Sequence, residues 1–160
     1  MADPQKSLRE HVVYLLKGEG AHAPFDDTIK DFPADLRGKK AKDFPHSAWM
    51  LLEHLRLAQA DILDYSRNPK HKSPKWPEGY WPKHEAPPNN DAWDKSIAGF
   101  RSDLKAMQAL VVDPKTDLFA VLAGTDGHTV LREAMLLADH NAYHIGQLVM
   151  LRKLFGSWEG

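Results

Sequence analysis

Apolar residues recur along much of the chain at the three- and four-residue spacing that places them on one face of a helix. Four segments have this pattern, and it predicts helices over residues 5–17, 45–66, 91–111 and 129–155. The third segment has the most regular apolar stripe, formed by Trp93, Ile97, Phe100, Leu104, Met107 and Val111. A stripe of this kind is typical of a helix that packs against antiparallel neighbours in a bundle.

Glycine and proline mark where the predicted helices end. Gly18 and Gly20 follow the first segment, while Pro69 and Pro114 follow the second and third. Glycine readily adopts the left-handed conformation that ends helices, and the residue before a proline is pushed out of the helical region. We therefore predict an all-α protein, a four-helix bundle with long irregular connections, as a single domain over residues 1–160.

The connections between the helices have less regular patterns. Residues 21–44 are irregular, with one short helical turn predicted around Asp26 to Phe32. For residues 115–127 a short strand and an extended loop are both compatible with the pattern.

The connection over residues 67–90 is unusually long and contains six prolines together with Trp76, Tyr80 and Trp81. Connections of this length inside a compact domain are uncommon and often functional. Two compatible interpretations stay open: an ordered segment whose aromatic side chains cover the bundle, or a lid or pocket wall. In either case we expect it to lie against the helices, because large aromatic faces gain free energy by burial.

Composition and charge exclude several function classes. The chain has 21 Lys and Arg residues against 22 Asp and Glu, for a formal net charge of −1. We therefore expect no nucleic-acid partner, since phosphates require a basic surface. No segment approaches the roughly 20 apolar residues of a membrane helix, so no membrane partner is expected either. The start of the sequence has no apolar signal region and the chain has no cysteine, which favours a cytoplasmic location.

Three of the nine histidines stand out by their positions. His140 and His144 lie four residues apart in the fourth predicted helix, a spacing from which two imidazoles can converge on one metal. They flank the apolar stripe, which fits either a pocket between helices or a solvated edge. His54 has apolar neighbours on the second helix, where an unpartnered ring would be costly. It is either a satisfied core histidine or a third ligand that faces the other two.

The remaining candidates are weaker. The other six histidines lie in polar loops, on a charged helix or near helix starts, and are not expected to bind metal: His11, His22, His46, His71, His84 and His128. Asn141, Tyr143 and Gln147 lie near the histidine line and are candidates for pocket or outer-shell roles, with helix surface or packing as the alternative. Glu53 points about a quarter-turn away from its neighbour His54, so it is not expected to act as a general base.

Two segments of the sequence resemble the DinB-like superfamily, a group of metal-dependent hydrolases and thiol-dependent transferases. One runs from His46 to Leu55 and reads HSAWMLLEHL; the other runs from Ala138 to Leu148 and reads ADHNAYHIGQL. The loop WPEGYWP, residues 76–82, is similar to one subgroup of that superfamily. The resemblance extends from about Leu8 to Phe155, and its most specific elements are the early histidine and the late His-x-x-x-His-x-Gly-Gln.

The resemblance implies a four-helix bundle with one divalent transition metal held by His54, His140 and His144. The metal could be zinc, nickel or iron, since imidazole suits all three. It also implies a metal-dependent enzyme that acts on a small molecule, by transfer of a low-molecular-weight thiol to an electrophile or by a related hydrolysis or isomerisation. A non-catalytic metal-binding stress-response protein is the alternative, and a purely structural bundle with incidental histidines is a third. Homodimer formation is left open.

Overall fold

The structure is a computed structural model and is described here for residues 3–158. Its regular elements are helices: α1 (Pro4–Lys17), α2 (Phe25–Ile29), α3 (Ala48–Arg67), α4 (Ala92–Val112) and α5 (Val130–Leu154), with a 3-10 turn at Ala34–Leu36. The prediction of an all-α protein is therefore confirmed. Between residues 3 and 158 there is no strand, and the segment after α4 is a loop with one isolated antiparallel bridge, between Val121 and Thr129. None of the helices in this range is both long enough and apolar enough to cross a membrane.

The four long helices lie close to their predicted positions, and the largest difference is at the start of α3. The helix begins at Ala48 and not at Pro45. Ser47 is the reason, because its side chain accepts a hydrogen bond from the backbone N–H of Met50 and so caps the first turn. A hydroxyl that satisfies one of the free amide groups is a stronger start signal than a proline.

In the packing of the four long helices, α3 contacts α4 and α5, and α1 contacts the same two helices. The buried apolar side chains form two clusters. Leu51, Leu52 and Leu55 of α3 are fully buried in the larger cluster of core residues. Val12 and Leu16 of α1 are buried in the second cluster. The predicted stripe of α4 is buried throughout, except that Leu104 is only partly so.

A buried polar bridge fixes the three longest helices relative to one another. Gln59 of α3 is completely buried, and its amide nitrogen donates to the backbone carbonyl of Phe100 on α4 at 2.6 Å. Its amide oxygen accepts from Asn141 of α5 at 3.0 Å. Because an unpaired amide in this interior would be costly, the pairing favours one register of α5 against α3. Asn141 therefore takes part in the packing of α5 on α3.

Residues 68–90, which we call the strap, cross the outside of the bundle between α3 and α4. Trp81 stacks on the ring of His54 with parallel planes and centroids 4.0 Å apart, and Ser47 donates to the backbone carbonyl of Glu85. The strap thus lies against the helices, as expected. Trp76 differs from the expectation, since 65% of its surface is exposed. It extends over a cavity beside α5 and does not cover the core.

Candidate metal centre

The packing of α3 against α5 brings His54, His140 and His144 together. The Nε2 atom of His54 lies 3.1 Å from Nε2 of His144 and 3.1 Å from Nε2 of His140. Each of the three residues offers one ring nitrogen within 4.8 Å of the other two. The three side chains are therefore close enough to bind a single metal ion.

The site is a pocket between helices and not a solvated edge. His54 is 2% exposed and His144 is 8% exposed, whereas His140 is half-buried. α3 packs against the side of α5 that carries His140 and His144, and His54 of α3 faces both of them. From the position of His140 and His144 beside the apolar stripe, a pocket and a solvated edge had both been compatible with the sequence.

In His54 and His144, a hydrogen bond at Nδ1 fixes the tautomer of the ring. Nδ1 of His54 lies 2.8 Å from the backbone oxygen of Tyr80, which can only accept, so this nitrogen carries the proton. Nδ1 of His144 lies 2.7 Å from Oε1 of Gln147 and donates in the same way. In the neutral rings both Nε2 atoms therefore carry lone pairs, and these lone pairs face each other across 3.1 Å.

Burial keeps the three rings neutral. It lowers the pKa of His54 to about 4, a shift that the Tyr80 carbonyl opposes and the nearby His144 strengthens. Burial, reinforced by His144 and His54, also lowers the pKa of His140 to about 4. The pKa of His144 is lowered by burial, with the hydrogen bond to Gln147 in opposition. Neutral imidazole is the form that binds metals.

The arrangement fits a divalent transition metal. Nitrogens held about 2.0–2.1 Å from a zinc ion lie about 2.9 Å apart at a right angle and about 3.3 Å apart at the tetrahedral angle. The two Nε2 separations from His54, each 3.1 Å, lie between these values. Without a cation, converging lone pairs would repel one another. An all-imidazole donor set suits zinc, nickel and iron alike.

A cavity of about 450 Å³ opens from the three histidines to the surface. Besides the histidines, residues of α3, the strap and α5 line it: Ala58, Ile62, Trp76, Tyr80, Trp81, Leu136, Asp139 and Tyr143. Asp139 is the only carboxylate among them, so the lining is mainly apolar and aromatic. Small-molecule sites commonly have this character, with a few polar groups that fix orientation.

Comparison with known protein families, curated proteins and solved structures finds no match to this chain.

Of the neighbouring candidates, Gln147 contacts a histidine directly, through Nδ1 of His144. Tyr143 lies edge-on to the His144 ring at 4.9 Å and is 64% exposed at the cavity mouth. Glu53 faces away from the site, since it pairs with Arg56 and accepts from Ser96 of α4 at 2.8 Å. Sequence reasoning missed the part played by Tyr80, because a backbone carbonyl leaves no signal in residue type.

Proposed function

We propose that this chain is a DinB-like metal-dependent enzyme that binds one divalent transition metal through His54, His140 and His144 and acts on a small molecule. The observation that carries the proposal is the convergence of neutral imidazole nitrogens at the inner end of a mainly apolar cavity. Long helices with the sequence motifs on α3 and α5 support the assignment to that superfamily and its four-helix bundle.

Three protein ligands leave at least one coordination position for water or substrate, as in catalytic zinc sites. When bound there, a divalent metal lowers the pKa of a water or thiol ligand and so supplies a nucleophile at neutral pH. The protein contributes no cysteine, so a thiol would come from outside as a low-molecular-weight substrate.

The residues around the site have separable roles in this proposal. The Tyr80 carbonyl and Gln147 hold two of the rings in the tautomer that presents Nε2. Trp81 covers one face of His54 and restricts water from that side. Tyr143 and the exposed Trp76 offer aromatic surface at the mouth for the apolar part of a substrate.

A non-catalytic metal-binding protein is the second candidate. One observation favours it: Asp139 is the only carboxylate in the cavity lining, and the hydroxyl of Tyr80 is already engaged with Asp61. The cavity therefore offers fewer candidates for a general acid or base than for metal ligands. The two candidates share the metal site and differ only in turnover.

Elemental analysis of untagged protein, purified without a nickel column, tests the metal site. We expect one divalent metal per chain and its loss in His54→Ala and in His140→Ala. His22→Ala and His84→Ala are matched controls, because both histidines are exposed loop residues outside the cavity. Full occupancy in both site variants would refute the site. A screen of several thiols against several electrophiles then separates enzyme from binding protein.

A further inference from the structure

Another histidine, His71 of the strap, lies on the same side of α3 as the proposed metal site. Its ring is held in the charged form, whereas the three site histidines are neutral. Nε2 of His71 lies 2.6 Å from Asp61, and its Nδ1 lies 2.6 Å from Asp64. Both ring nitrogens face carboxylate oxygens, which accept but do not donate when ionised. His71 is therefore held as an imidazolium between the two carboxylates, and the side chains of His71 and Asp61 are each only 11% exposed.

Asp61 uses its other oxygen to hold the strap. Oδ2 of Asp61 accepts from the hydroxyl of Tyr80 at 2.7 Å and from Oγ of Ser73 at 3.2 Å. Hydrogen bonds to an ionised carboxylate are stronger than those between neutral groups. One side chain of α3 thus binds three residues of the strap.

Tyr80 connects this cluster to the metal site because it is bound at both ends. Its hydroxyl donates to Asp61, and its backbone carbonyl accepts from Nδ1 of His54 at 2.8 Å. His54 and Asp61 are seven residues apart on α3, which places them on one face about two turns apart. Tyr80 therefore spans that face from the ion cluster to the metal ligand.

We propose that Asp61 and His71 are positioning residues for the metal centre, which act through Tyr80 to hold the His54 ring in its ligating orientation. This inference rests on the proposed function, since it concerns the same metal site. The acceptor behind a ligating imidazole sets its tautomer, orientation and basicity, and loss of such an acceptor typically costs 10–100-fold in metal affinity. Here the acceptor is a backbone carbonyl in a strap that has no regular structure of its own. Its position depends on the Tyr80 hydroxyl, on Asp61, which accepts from that hydroxyl, and on His71, which pairs with Asp61.

The experiment uses Co²⁺ as the probe, because its visible absorption reports the ligand geometry as well as occupancy. Affinity and spectrum are measured for the wild type, Tyr80→Phe, Asp61→Ala and the double variant. Tyr80→Phe keeps the ring and the carbonyl and removes only the hydroxyl. Tyr65→Phe is the matched control: this tyrosine lies on α3, as Asp61 does, and its hydroxyl contacts His128 at 2.8 Å and none of the proposed ligands.

We expect Tyr80→Phe and Asp61→Ala each to weaken Co²⁺ binding about tenfold and to change the spectrum at saturation. The double variant should bind no more weakly than Asp61→Ala alone, because the two residues act through one hydrogen bond. Tyr65→Phe should leave both readouts unchanged. His71→Ala should change the spectrum in the same direction as Asp61→Ala. The unfolding of each metal-free variant is measured in parallel. A variant that binds Co²⁺ more weakly only because it is less stable should still give the wild-type spectrum at saturation.

The outcomes separate the two proposals. Wild-type affinity and an unaltered spectrum in Tyr80→Phe overturn the positioning role even if Asp61→Ala does not fold. Losses that add in the double variant, or that Tyr65→Phe reproduces, overturn it as well. If the wild type does not bind Co²⁺, or if His54→Ala binds it equally well, the metal site itself is wrong and the positioning role is lost with it.

Discussion

Two histidines on or beside α3 illustrate how the surroundings decide the chemistry of one residue type. Burial lowers the pKa of His54 to about 4, and its only fixed polar contact behind the ring is a carbonyl. Burial also lowers the pKa of His71, but hydrogen bonds to Asp64 and Asp61 outweigh that effect and the net pKa is raised. One ring is therefore neutral and able to bind a metal, while the other is a cation that holds the strap.

Gln147 is the residue whose removal tests the outer shell of the site most directly. Gln147→Ala removes the acceptor from Nδ1 of His144, so the ring loses its fixed tautomer. We expect zinc affinity to fall about 10–100-fold, with little change in the stability of the metal-free protein. Gln108→Ala, a half-buried glutamine of α4, is the control and should bind zinc as the wild type does. Equal affinities for both variants would contradict an orienting role.

The lowered histidine pKa values also predict a pH dependence of the metal-free protein. His54 and His140 have folded pKa values of about 4 against a reference value of 6.5. Between those values the unfolded chain binds more protons than the folded one, so stability falls as the pH is lowered from 6.5 towards 4. Urea unfolding at pH 7 and pH 5 measures the difference. The change should be smaller in a His54→Gln, His140→Gln double variant, and an equal change there would exclude these two residues as its source.

At the scale of elements, a hydroxyl at the start of α3 joins that helix to the strap. Ser47 accepts from the N–H of Met50 and donates to the carbonyl of Glu85. Ser47→Ala removes both contacts in a fully buried position, and we expect a loss of about 1–2 kcal/mol in the free energy of unfolding. Ser102→Ala, an exposed serine within α4, should change it by no more than about 0.5 kcal/mol. Chemical denaturation distinguishes the two, and equal effects would rule out the capping role.

Elements whose apolar pattern is regular could be predicted from the sequence, because that pattern depends on neighbours three and four residues away. This is true of α3 and α4, whereas the helix that carries His140 and His144 has a weaker apolar pattern. The pairing of His54 with them needed the resemblance as well, since spacing alone left a core histidine as an alternative. The strap contacts could not be predicted: Tyr80 reaches Asp61 and His54 through a long irregular segment, and no periodicity encodes that path. The contacts of His71 could not be predicted for the same reason: it lies in a polar loop, as expected, but its carboxylate partners Asp61 and Asp64 are on α3.

At the scale of the whole molecule, the three-histidine cluster and the buried amide pair connect the same two helices. His54 and Gln59 lie on α3, and their partners His144 and Asn141 lie on α5. These contacts join parts of the chain more than 80 residues apart in sequence. Unfolding must separate α3 from α5, so a ligand that bridges them should bind only the native protein.

Metal binding should therefore stabilise the whole fold and not only the site. A ligand specific for the native state adds about 2.7 kcal/mol to the free energy of unfolding when its free concentration is 100 times the dissociation constant. We expect the melting temperature to rise with zinc concentration in the wild type and in His22→Ala, whose histidine is exposed and does not line the cavity. The rise should be absent in His140→Ala, because two imidazoles on separate helices bind zinc much more weakly than three. A melting temperature that zinc raises equally in His140→Ala would place the stabilising metal elsewhere on the chain.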